Sequence, residues 1–289
     1  MPALVTELIV PRRFNGPPSS GNGGWVAGAL AGTLALEHEH ADAGDAPHAG
    51  VRAPGDRVDA WPTVEVSLRQ PPPLDTPLHV ACDGDGVVAT FGGAVIGSAR
   101  PVDHELATVE GVDPERARAA SAGFPGLRQH LFPTCFGCGP ERAEGDGLRV
   151  FGGPLDGSPD GSPDGPDGRD PRIAAPWTPH PSHADHRPHV DEAPVASLAS
   201  TWAALDCIGG WAGDLTERLM VLGRMTARID TLPVIGEPHV VVGEGRGQDG
   251  RKTFTASTLY DADGRVVATA EHTWIAVDAE LFGGRAPVR

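Results

Sequence analysis

Three groups of residues in this sequence have types and spacing suited to chemistry. The first is Asp206, within Val195–Gly213, VASLASTWAALDCIGGWAG. Val195, Leu198, Trp202, Leu205 and Ile208 recur there at helical spacing, which predicts a helix whose second half is apolar and buried. A carboxylate in that half must be paired, hydrogen-bonded or at work, unless the Asp simply faces solvent on a half-buried helix. The second group is Asn22-Gly23-Gly24, closing the turn-rich stretch FNGPPSSGNGG. It leads into Trp25–Leu36, an apolar helical segment with no charge until Glu37. Glycines there leave backbone N–H groups unobstructed by any Cβ, and a helix start adds partial positive charge. The third is Cys135-x-x-Cys138, with His180, His183, His186 and His189 downstream as partners for a Cys2His2 zinc site. A single CxxC is a weak zinc signal, and Gly139-Pro140 argues against the helix that a redox CxxC needs, so no metal is expected. Cys207 reads as core, and Glu271 and His272 face either the interior or solvent.

The elements that position these groups follow in order. Glu7–Arg13 reads as a strand, then comes the Trp25–Leu36 helix, then a surface loop from Glu39 to Arg57. Thr63–Arg69, Leu78–Cys82, Val87–Phe91 and Ala94–Ala99 read as strands, the middle pair joined by a DGDG turn. The second half repeats the order. Ile173–Trp177 is a strand, and the Val195–Gly213 helix begins near Pro194, which suits a first helical position. Leu219–Ile229, His239–Gly245, Lys252–Tyr260 and Arg265–Val277 are strands. VEVSLRQ…PLHVAC parallels GRMTARI…PHVVVG, so each half is one long helix followed by a meander that can wrap it. Between the halves, Leu155–Arg172 holds GSPDGSPDGPDGRDP and reads as a solvated loop that buries nothing.

A formal charge of -16, with Lys252 the only lysine, argues against nucleic acid as a partner. The apolar run in MPALVTELIVPRRF is too short for a secretory signal, and no stretch is long enough for a membrane span. Four cysteines in 289 residues do not make a disulfide framework, so a cytoplasmic protein is expected.

Cys135–Phe151, CFGCGPERAEGDGLRVF, resembles the CFxCG…GL opening of hotdog-fold proteins of the phenylacetyl-CoA thioesterase-like group. The resemblance continues through a strand ending in WTP, a loop holding His183, and the helix. In that family the helix opens on His-Gly-Gly and carries an acid nine residues after the His, in a segment similar to LLDEAMGWA. Here ALDCIGGWA puts Asp206 on the acid position, while Ser197-Leu198-Ala199 stands where His-Gly-Gly would be. The first half is the reverse: Asn22-Gly23-Gly24 replaces His-Gly-Gly, Asn15-Gly16 resembles the family's upstream Asn-Gly, and Ala31 stands at the acid position. The resemblance implies an α+β double hotdog, with repeats 1–125 and 126–289, each a long helix wrapped by antiparallel strands. It implies one composite site: Asp206 as base or nucleophile, Gly23 and Gly24 as oxyanion donors, and Asn15, Asn22 and Trp25 contacting substrate. The substrate would be an acyl-CoA-type thioester, with no further cofactor, and a homodimer is left open. Two other readings are a hotdog protein that only binds an acyl chain or CoA ester, and a hotdog dehydratase or hydratase, which Asn22 in place of His makes less suitable.

Overall fold

The computed structural model describes residues 5–42, 62–156, 170–185 and 193–278. Along the chain lie β1 (Val5–Ile9), α1 (Gly23–Asp42), β2 (Val64–Leu68), β3 (Pro77–Asp83), β4 (Gly86–Phe91), β5 (Ala94–Pro101) and α2 (Pro114–Ala122). They are followed by β6 (Gly153–Pro154), β7 (Arg172–Trp177), α3 (Leu198–Ala212), β8 (Met220–Ile229), β9 (His239–Asp249), β10 (Lys252–Tyr260) and β11 (Val266–Ala276). The strands form one antiparallel sheet in the order β1-β3-β4-β5-β2-β8-β11-β10-β9-β7-β6. Read inward from each edge, β1-β3-β4-β5-β2 and β7-β9-β10-β11-β8 are the same arrangement, with β6 added outside the second. The two runs join edge to edge at β2 and β8, from Val64 opposite Ala227 to Ser67 opposite Arg224.

The long helices lie on this sheet, α1 against β2, β4, β5 and β8, and α3 against β7 through β11. They also pack on each other, running antiparallel. A Cβ on Gly24 would sit 2.3 Å from Asp206 Cβ, and one on Gly28 would sit 2.7 Å from Ala199 Cα. The helix backbones therefore touch where α1 has no side chain, which explains glycines inside an apolar helix despite their cost to helix propensity. Nearly every residue of α3 from Ser200 to Trp211 is buried, as a helix apolar on all faces requires. Trp202, Leu205 and Ile208 anchor it in the main core, each worth about 1.5–3 kcal/mol of burial.

Several boundaries differ from the sequence expectation. The second helix starts at Leu198, because Ser197 is its N-cap and accepts a hydrogen bond from Ser200 N–H at 3.2 Å. Pro194 and Val195 lie ahead of it, Val195 bridging to Val234. The first strand stops at Ile9, and Arg12–Phe14 forms a single 3-10 turn after Pro11. The first helix begins two residues early, at Gly23, and continues to Asp42. The sequence reading also lacks α2, a short polar helix capped by Asp113, whose carboxylate accepts from Arg116 N–H at 2.8 Å. It packs on β7, so the division expected at residue 125 falls after a helix that sits on second-half strands.

The Leu155–Arg172 segment is built into the fold at both ends. Leu155 is buried beside Val109 and Val242. Arg172 and Asp170 form a buried ion pair at 2.8 Å. Apolar content alone hid this, because two opposite charges satisfy each other at the end of β7. Residues 157–169, like His186 and His189, lie outside the described residues.

Candidate active site

The N-terminus of α1 meets the second half of α3 at a buried carboxylate. Asp206 is 3% exposed. Its Oδ2 accepts from Gly24 N–H at 2.8 Å and from Asn22 Nδ2 at 3.4 Å. Its Oδ1 has no hydrogen-bond partner among the described residues. A buried acceptor left open costs about 1–3 kcal/mol and calls for an explanation such as a catalytic role. Burial, with a smaller push from charge at Cys135, raises this carboxyl to about 7 against the opposing pull of the Gly24 N–H and Asn22 hydrogen bonds. Near neutral pH the group is thus divided between its two protonation states, as suits one that takes and returns a proton.

Asn22 makes this geometry. Its Oδ1 caps α1 by accepting from Trp25 N–H at 2.8 Å, while its Nδ2 turns to Asp206. The first helical turn leaves N–H groups without intrahelical partners. Gly24 N–H goes to Asp206, Trp25 N–H to the Asn22 side chain, and Val26 N–H to Asn22 O. That leaves Gly23 N–H, which has no acceptor among the described residues. Gly23, Asn22 and Asp206 line a cavity of about 340 Å³ whose walls include Leu68, Trp211 and Leu222.

The structure thus brings Asp206, Asn22, Gly23 and Gly24 together. Gly24 N–H is spent on the carboxylate itself, so the donor open to a ligand is Gly23 N–H. Asn15 does not line the cavity. Its Nδ2 donates to Gly16 O at 3.0 Å and Thr134 Oγ1 at 3.3 Å, and its Oδ1 accepts from Arg142, so its amide is consumed in holding the loop. Trp25 also misses the cavity, because its ring stacks on Phe14 with centroids 4.2 Å apart. On the pseudo-equivalent side Ala31 is core and Ser197 is a cap.

His183 is buried edge-on to Phe136, with centroids 5.8 Å apart, and does not line the cavity. Burial, aided by Arg13 and His180, holds it at about 4. His272 is interior, and Glu271 contacts His104 at 3.0 Å near the surface.

Three cysteines that the sequence pattern kept out of the site also line the cavity. Cys135, Cys138 and Cys207 converge there with His130. Hydrogen bonds from Cys138 and Cys207 hold the Cys135 thiol well below its ordinary value. The usable signal was Cys207 itself, adjacent to Asp206 in a helix that had to be buried.

The tesB protein of Mycobacterium avium subsp. paratuberculosis aligns over 96% of this chain and 93% of its own, with TM-score 0.53 and 10% identity. A protein of unknown function with a hot dog fold from Alicyclobacillus acidocaldarius aligns over 99% and 94%, with TM-score 0.52 and 12% identity. The fold is a hotdog fold. Acyl-CoA thioesterase II TesB2 of Mycobacterium marinum has the same hotdog arrangement over 94% of this chain and 93% of its own, with TM-score 0.50 and 11% identity. At these identities the likeness is one of backbone. No protein-family model matches the sequence, and no curated protein matches it significantly. Among the described residues, no helix is long and apolar enough to cross a membrane.

Proposed function

We propose that the chain is two hotdog units fused in one polypeptide, and that it hydrolyses acyl thioesters of the coenzyme A type at a single composite site. The observation that carries this reading is buried Asp206, whose Oδ1 has no hydrogen-bond partner among the described residues and which lines the same cavity as Gly23 at a helix N-terminus. In the reaction, Asp206 takes a proton from a water that attacks the thioester carbonyl carbon. The charge gathering on the carbonyl oxygen is met by Gly23 N–H and the positive end of α1. Collapse of the tetrahedral intermediate breaks the carbon–sulfur bond, and the departing thiolate takes the proton back from Asp206. The products are a carboxylic acid and a free thiol. Gly24 N–H and Asn22 serve this step by fixing Oδ2, which leaves Oδ1 to do the proton transfer.

Two further observations support the substrate class. The cavity walls are mainly apolar, which suits an acyl group. Arg69 and Arg251, both exposed in an otherwise acidic protein, stand at its edge and suit phosphate groups. We place the division between units after β5, so that α2 belongs with the second. All parts of the composite site then come from one chain.

The test is turnover of acyl-CoA esters from acetyl to long-chain and aromatic, followed through release of the free thiol. Hydrolysis of at least one class at saturable rates is expected. Saturable binding of the esters with no thiol released from any would instead support the acyl-binding reading, which the engagement of Gly24 N–H by Asp206 favours.

A further inference from the structure

Beneath the carboxylate lies a cluster that thioester hydrolysis does not use. The Sγ atoms of Cys135, Cys138 and Cys207 all lie within 4.8 Å of one another, with Cys135 and Cys207 3.9 Å apart. Three thiolates bound to one tetrahedral zinc at about 2.3 Å each would stand about 3.8 Å apart. All three residues are buried, so the sulfurs are already gathered at ligand spacing away from bulk water.

The backbone is shaped to bring them there. A Cβ on Gly137 would sit 2.2 Å from Cys207 Sγ, so only glycine lets the CxxC turn close over α3. Gly139 N–H donates to Cys135 O at 2.9 Å and ties off the turn. Hydrogen-bond donors then point at the sulfurs. Asn22 Nδ2 is 3.7 Å from both Cys135 Sγ and Cys207 Sγ. His130 Nε2 is 3.3 Å from Cys138 Sγ, and Phe132 N–H donates to His130 Nδ1 at 3.0 Å. That second contact makes Nδ1 the acceptor and leaves the ring proton on Nε2, aimed at the sulfur. His130 therefore supports a thiolate as a donor and is not a ligand. Donors converging on buried sulfurs match negatively charged sulfur, and a set of soft sulfur ligands selects zinc over hard cations.

We propose that Cys135, Cys138 and Cys207 form a metal site that takes one zinc ion per chain, with its fourth position open to the cavity these residues line. Binding replaces the thiol protons with the ion and clamps the CxxC turn to α3 beside Asp206. Asn22 joins the two features, since the same amide nitrogen faces Cys135, Cys207 and Asp206. The lone CxxC pointed away from zinc because the third ligand lies 69 residues beyond Cys138 and only the fold delivers it.

The experiment is elemental analysis of protein purified with a phosphine reductant and no chelator, together with cobalt reconstitution of the chelator-stripped wild type. One zinc per chain is expected. Content should fall at least about tenfold in Cys135→Ser and Cys207→Ser, and remain at one in Cys82→Ser, whose cysteine is on the surface. Cobalt titration of the wild type should give thiolate-to-metal absorption that saturates at one equivalent, a readout that needs no variant to fold. His130→Ala should keep the metal and bind it about 10–100-fold more weakly. Absence of stoichiometric cobalt–thiolate absorption, zinc retained in Cys207→Ser, or a disulfide between two of the three cysteines in the reduced preparation would each overturn the proposal. None of these readouts is an activity, so the site stands or falls independently of thioester hydrolysis.

Discussion

Asn22 does two jobs at one turn, and they can be separated. Its Oδ1 caps α1, while its Nδ2 steadies Asp206 Oδ2. Asn22→Ala removes both, and should cost about 1 kcal/mol of stability along with turnover. Asn22→Ser keeps a capping oxygen but cannot reach the carboxylate. Its urea midpoint should stay near wild type while kcat falls about 10- to 100-fold, the worth of a hydrogen bond to a charged group. Equal kcat in wild type and Asn22→Ser would show that the amide only caps. His272 gives a second residue-scale test. It is buried, its Nδ1 lies 3.3 Å from Thr255 Oγ1, and its Nε2 has no partner among the described residues. Burial holds it at about 4, below the 6.5 of an unfolded chain, so the folded protein prefers the neutral ring. Stability from this group is complete above pH 6.5 and is lost as pH falls toward 4, by up to about 3 kcal/mol. Urea unfolding at pH 7.5 and 4.5 should show a smaller acid loss in His272→Gln than in wild type. The same loss in both would show that His272 does not contribute.

Among the elements, the helix pair is the most sensitive to single atoms. Gly28 lies against Ala199 and Trp202, whereas the nearest atom to a Cβ on Gly32 is Leu198 Cδ2 at 3.6 Å. Alanine is the better helix former at both positions by about 1 kcal/mol. Gly32→Ala should therefore raise the melting temperature, and Gly28→Ala should lower it by forcing the helices apart. If both raise it, the helices are not in the close contact described here. The same elements explain what the sequence made legible. Alternation over Thr63–Arg69 placed Val64–Leu68 to within a residue at each end, and Lys252–Tyr260 matches its strand residue for residue. The start of α3 was missed because Pro194 and Ser197 both suit a helix start, and only the hydrogen bond from Ser200 decides between them. The helix α2 was missed because Pro114–Ala122 has no apolar stripe, although Asp113-Pro114 was a start signal.

At the scale of the molecule, two runs of strands in the same order meet at β2 and β8 and hold their helices antiparallel. That arrangement places the start of α1 against the second half of α3, with the pseudo-equivalent pairing at Ala31 and Ser197. Asp206 and the Gly23-Gly24 turn each carry a local signal, an acid in an apolar helix and a glycine turn at a helix start, and the structure brings the two within hydrogen-bond distance. Which glycine N–H stays open was not legible, since it depends on Gly24 lying 2.8 Å from a carboxylate 182 residues away. Nor was the third thiol, which sequence distance hides and helix packing supplies.

In the proposed reaction a carboxylate from one half acts on a thioester held at the helix start of the other. Replacing Asp206 with Asn keeps size and an acceptor for Gly24 N–H while removing the base, so kcat on the best acyl-CoA ester measures the claim most directly. A fall of about 100- to 10,000-fold is predicted, with ester affinity and melting temperature near those of wild type. Full turnover by Asp206→Asn on an ester that the wild type hydrolyses would contradict it.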